Sequence, residues 1–146
     1  MHHRSTAVLI AVGAVLASLA LAPVANAGGQ PFTTTLEGEN EIPTGDLDAT
    51  GTATVTLNRG TGEVCWDISV AGMTLPATAA HIHPGAAGDV GAPIIPLGAP
   101  GADGTSTGCT TADRSLVKEI AKDPSAYYVN VHNVDFPAGA ARGQLG

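Results

Sequence analysis

Residues 52–57 read Thr-Ala-Thr-Val-Thr-Leu, and residues 63–70 read Glu-Val-Cys-Trp-Asp-Ile-Ser-Val. Both runs alternate polar and apolar side chains. That is the period of two that a strand buried on one face requires and that a helix cannot use. Between them, Asn58-Arg59-Gly60-Thr61-Gly62 has the composition of a turn. The two runs therefore predict a β-hairpin with Val64, Trp66, Ile68 and Val70 on one face. Such a face has to be covered by another layer of structure.

The rest of the chain supplies it. Further strands are predicted over 32–37, 79–83, 105–110, 126–132 and 140–145. The stretch Tyr127-Tyr128-Val129-Asn130-Val131-His132 is the richest in strand-forming residues. Segments 40–51 and 85–101, rich in Gly, Pro and Asp, read as loops, the second interrupted by Ile94-Ile95-Pro96-Leu97. One helix is expected over 113–123. Asp113 caps it, Leu116, Val117 and Ile120 form its apolar face, and Pro124 stops it. Strands and helices do not alternate, which excludes a doubly wound nucleotide fold. The prediction is an all-β domain: an antiparallel Greek-key-like β-sandwich or flattened barrel with one short helix.

Residues 1–27 stand outside this pattern. Met1-His2-His3-Arg4 is a short basic start, 6–22 is an almost unbroken apolar run, and Ala25-Asn26-Ala27 follows Pro23. That order predicts a secretory signal peptide cleaved after Ala27, leaving one domain over 28–146 that starts at Gly28. No second apolar run of membrane-spanning length follows. The whole chain has a net charge of −7, and loss of Arg4 makes the remainder more negative. An acidic exported protein has no electrostatic hold on phosphate backbones, so nucleic acid is excluded as a partner. The expected partner is an extracellular or cell-envelope component that the sequence does not name. In an oxidising compartment the two cysteines, Cys65 and Cys109, are expected to form one disulfide rather than to act as thiolate ligands.

Three histidines lie beyond residue 27: His81, His83 and His132. His81 and His83 are two apart on one predicted strand, so their rings share a face and Ile82 points the other way. His132 ends another strand, with Tyr128 and Asn130 on its face. If the two strands are neighbours the three imidazoles converge, and three neutral imidazoles on rigid strands suit Zn²⁺ or Cu²⁺. Asp89 and Asp135, in the loops after those strands, are the candidates for a fourth ligand. The competing reading has each histidine hydrogen-bonding backbone at a strand end. Gly104-Thr105-Ser106-Thr107-Gly108 matches the nucleophile-elbow string but lacks the α/β sheet that gives the string its chemistry. Asp46-x-Asp48-x-Thr50-Gly51 begins like a calcium loop and fails at its twelfth position, Leu57. Glu37, Glu39 and Glu41 read as a solvated acidic strand edge.

Several strings occur here in a telling order: Ala80-His81-Ile82-His83, a Gly/Ala-rich loop, Tyr127-Tyr128-Val129-Asn130-Val131-His132, Phe136-Pro137-Ala138-Gly139 and Arg142-Gly143-Gln144-Leu145. In that order the chain resembles the CHRD (chordin) domain family, in its bacterial secreted members, over residues 32–145. The resemblance implies an all-β extracellular domain and leaves the activity open. A fainter similarity runs to copper/zinc superoxide dismutases, which share a His-x-His strand and an arginine after an Ala-Gly pair, matched here by Gly139 and Arg142. Three histidines are too few for both a copper site and a bridged zinc site, and no cysteine lies near the C-terminus. The leading expectation is a secreted, non-enzymatic binding or cell-envelope module with a three-histidine copper or zinc site. The alternative is a dismutase-like copper metalloenzyme.

Overall fold

The alternating runs become strands, as their period requires. The computed structural model describes residues 28–146, so the predicted signal peptide over 1–27 and its predicted cleavage point lie outside the described residues. In chain order the strands are β1 (Gln30–Glu37), β2 (Thr50–Leu57), β3 (Glu63–Ala71), β4 (Ala79–Pro84), β5 (Ile95–Leu97), β6 (Thr105–Thr111), β7 (Tyr127–His132) and β8 (Ala141–Gln144). The helix α1 (Arg114–Lys122) separates β6 from β7. All eight strands form one sheet in the order β5-β4-β7-β8-β1-β2-β3-β6, and every pairing is antiparallel. Its two edges, β5 and β6, approach each other, so the sheet curls into a nearly closed barrel. The all-β expectation with one short helix holds, in its barrel form.

The apolar half of each alternating run fills the interior. Leu36, Val55, Leu57, Val64, Ile68, Ile82, Val129 and Val131 are fully buried. The helix adds Val117 and Ile120 to the same core. Its start is capped as the sequence predicts, the Asp113 carboxylate accepting from the N–H groups of Ser115 and Leu116. Trp66 packs against the core and donates its indole N–H to the Ser106 hydroxyl at 3.0 Å. Its neighbour Cys65 faces the other way and pairs in register with Cys109 on β6, the sulfurs at disulfide distance.

One segment departs from the sequence reading. Residues 95–97, which the sequence predicts to lie within a loop, form the edge strand β5, with Ile95 and Leu97 buried around an exposed Pro96. Three residues are too few to show a period. A proline removes a ladder donor and is tolerated only at a sheet edge, which is where β5 lies.

Candidate metal centre

β4 and β7 are neighbours, which the sequence left conditional. Their register sets Ala79 opposite His132, His81 opposite Asn130, and His83 opposite Tyr128. His81, His83, Tyr128, Asn130 and His132 therefore share one side of the sheet, while Ile82, Val129 and Val131 enter the core. His132 sits diagonally from His81, close enough for side chains to meet. The ring centroids are 5.2 Å apart for His81 and His132, 5.6 Å for His81 and His83, and 6.2 Å for His83 and His132. One nitrogen from each ring belongs to a group whose members all lie within 4.8 Å of one another. His81 Nδ1 and His132 Nε2 are 3.2 Å apart. Two nitrogens bound at about 2.0–2.1 Å to a tetrahedral ion lie about 3.3 Å apart, so this pair is already at ligand spacing.

The outward-facing nitrogens fix the tautomers. His83 Nδ1 is 2.8 Å from the Gly91 carbonyl oxygen, and His132 Nδ1 is 3.1 Å from that of Pro137. A carbonyl only accepts, so both Nδ1 atoms carry the proton and both Nε2 atoms keep their lone pairs. With no ion bound, His132 Nε2 takes the His81 Nδ1–H, a proton that has to move to His81 Nε2 before Nδ1 can ligate, whereas His83 Nε2 is buried without a partner. An unsatisfied buried acceptor costs about 1–3 kcal/mol, a cost an ion at this position removes. Backbone carbonyls holding the second nitrogen of a ring, as they do at His83 and His132, are also a usual support of metal-binding imidazoles.

Burial is the main force on all three rings and lowers their proton affinity below the ordinary histidine range. The charge of His83 adds to this at His81. At His83 the Gly91 hydrogen bond opposes burial, and the Arg142 charge reinforces it. At His132 the Pro137 hydrogen bond opposes, and His81 and His83 reinforce. Neutral imidazole is the form that binds metal.

Neither aspartate joins this group. The Asp135 carboxylate accepts from the Thr74 hydroxyl, and Asp89 is exposed, offering its backbone carbonyl to Arg142. The burial of two charged residues of the neighbourhood, Glu41 and Arg142, is not legible in the sequence. Glu41 is no part of a solvated edge: it is buried, and its carboxylate accepts from Asn130. The strand ends at Glu37 and a 3₁₀ turn, Gly38–Asn40, carries Glu41 inward, so the Glu-x-Glu-x-Glu spacing has no strand beneath it. Burial raises the Glu41 pKa to about 7, against the opposing pull of Arg142 and of hydrogen bonds from Asn130 and Ile42. Arg142, on β8, is only 2% exposed.

A family model, the CHRD domain, matches residues 32–145. That span holds all three histidines, both cysteines and Arg142. The chain belongs to the CHRD domain family. Searches of curated proteins and of solved structures returned no match. In this CHRD domain the two most specific strings, around His81–His83 and Tyr127–His132, are the paired strands β4 and β7 that carry the histidine cluster.

The buried groups set opposite pH dependences on folding. The histidines are held below their ordinary value of 6.5, so they contribute stability that is full above it and is lost as pH falls through the lowered values. Glu41 is held at about 7 against an ordinary 4.5, so its contribution is full below 4.5 and is lost as pH rises to about 7. Glu41→Gln removes the second effect. Urea midpoints of the metal-free variant are expected to rise steadily from pH 5 to pH 7 and to exceed wild type at pH 8. A variant less stable than wild type at pH 8 would show that an ionised Glu41 is favoured by its pairing with Arg142.

Proposed function

We propose that this CHRD domain is an exported, non-enzymatic module of the extracellular space or cell envelope that holds one copper or zinc ion on His81, His83 and His132. One observation carries the metal reading. His83 has a buried, unpartnered Nε2 and belongs to a group of three imidazoles with one nitrogen each within 4.8 Å of the others, while its Nδ1–H is held by the Gly91 carbonyl. Export is supported by the basic, apolar and small-residue order of 1–27, and by a cysteine pair at disulfide distance. Among the described residues, no helix is long and apolar enough to cross a membrane. Copper is preferred over zinc by intrinsic affinity for nitrogen donors, and a bound ion supplies a dication that can hold one further ligand. Among the described residues no carboxylate belongs to the group.

The test is metal content followed by superoxide consumption. Protein collected from the medium, loaded and desalted, is expected to retain about one equivalent of copper or zinc. The copper-loaded protein is expected to consume superoxide no faster than His83→Ala. Retention well below one equivalent would remove the metal reading. Fast consumption lost in His83→Ala would replace the binding module with a dismutase-like enzyme.

A further inference from the structure

We infer that Arg142 and Tyr128 are positioning residues for His83, fixing the proton on its Nδ1 and thereby keeping Nε2 free; only the consequence for metal affinity rests on the function proposed above. The argument begins with register. β7 lies between β4 and β8, with Tyr128 opposite His83 on one side and Gln144 on the other, and Arg142 opposite Asn130. His83, Tyr128 and Arg142 thus rise from three consecutive strands on the same side of the sheet. The His83 ring stacks on Tyr128 with centroids 4.8 Å apart and planes 10° from parallel. The Arg142 Cζ lies 3.4 Å from the centre of the same phenol ring, a cation–π contact.

Arg142 faces outward on its strand and is buried because the segment that follows β4 covers it. Its two terminal nitrogens donate to the carbonyls of Asp89, at 2.6 Å, and Ala86, at 2.8 Å. Gln144 Oε1 accepts from Nε at 3.2 Å and from the second terminal nitrogen at 2.9 Å. Gln144 in turn donates to the Gly85 carbonyl at 3.0 Å. The Tyr128 hydroxyl accepts from the Gly91 N–H at 3.3 Å. Residues 85–91 are therefore fastened at four points, three through Arg142 and its partner Gln144 and one through Tyr128. The far end of that segment carries the Gly91 carbonyl that takes the His83 proton. The chain passes so close to β4 there that a Cβ on Gly91 would lie 1.9 Å from the Pro84 carbonyl oxygen.

The chemistry follows from which nitrogen is protonated. Neutral imidazole carries one proton, and a carbonyl held 2.8 Å from Nδ1 selects Nδ1–H. Once the segment lifts, that selection ends and Nε2–H becomes populated, a form whose lone pair lies on Nδ1, the nitrogen that faces Gly91, so that Nε2 cannot ligate. A lysine at 142 keeps the charge but cannot fork onto two carbonyls.

The experiment reads the tautomer directly in metal-free, ¹⁵N-labelled protein, from the ring-nitrogen shifts of His83 above pH 7. Wild type is expected to show Nδ1–H alone. Arg142→Lys is expected to show a mixture with Nε2–H and to bind Zn²⁺ about 10–100-fold more weakly. Tyr128→Phe keeps the stacked ring and loses one fastening, so it is expected to shift in the same direction by less. Where Arg142→Lys does not fold, Tyr128→Phe decides. A folded Arg142→Lys, or failing that a Tyr128→Phe, whose His83 stays Nδ1–H with unchanged exchange would overturn the inference, as would Nε2–H in wild type. A tautomer shift in protein that binds no Zn²⁺ would uphold the positioning role and remove the metal reading.

Discussion

Alanine at His83, or at His132, is expected to weaken Cu²⁺ and Zn²⁺ binding by at least about 100-fold, beyond the 10–100-fold that outer partners of a metal site are worth. Each substitution removes one of three donors. His132→Ala also takes away the acceptor of the His81 proton. Neither residue enters the barrel core, so the variants are expected to fold. His83→Ala loses a stacked contact with Tyr128 and at the same time removes a buried acceptor that has no partner. Competition titration against a chelator of known affinity measures the loss, and circular dichroism of the metal-free variants checks the fold. Equal affinity in wild type and both variants would leave the histidines as strand-end anchors.

Removal of the Cys65–Cys109 link is expected to cost about 4 kcal/mol, the chain-entropy value for a closed loop of this size. The two residues are 44 apart in sequence. A domain of this size has a total stability of about 5–15 kcal/mol, so the loss is a large share of it. The location sharpens the expectation. Among the described residues β6 is an edge strand paired with β3 alone, and the link joins those two strands at the third of their seven register pairs. Reduction, or Cys65→Ala with Cys109→Ala, is expected to lower the urea midpoint and to speed amide exchange in β6 more than in β7. An unchanged midpoint under a strong reductant would contradict a bonded pair.

Period-two alternation made most of the barrel legible. It gave the β2–β3 hairpin and the β7 strand, and it placed His81 and His83 on one face with Ile82 opposite. Asp113 and Pro124 marked the helix because cap chemistry is local. Pairing of β4 with β7 is not local. Their histidines lie far apart in sequence, and no period says which strands become neighbours, so convergence could be stated only as a condition. Loops that fold back over the sheet were beyond reach for the same reason. Arg142 alternates outward, where a side chain is ordinarily wet, and it is buried only because residues 85–91 lie across it. Asp89 and Asp135 fitted the sequence distance to a fourth ligand, but loop direction is set by contacts such as Thr74 with Asp135 and Arg142 with the Asp89 carbonyl. Glu41 was misread because alternation was extended past the end of β1.

The central claim is that three imidazoles hold one ion, and pulsed electron paramagnetic resonance of the Cu²⁺-loaded protein counts those imidazoles directly. Couplings to the remote nitrogens of three histidine rings are predicted for wild type, with one ring lost in each of His81→Ala, His83→Ala and His132→Ala. A spectrum with fewer than three rings in wild type, or one that the three substitutions leave unchanged, would contradict the account.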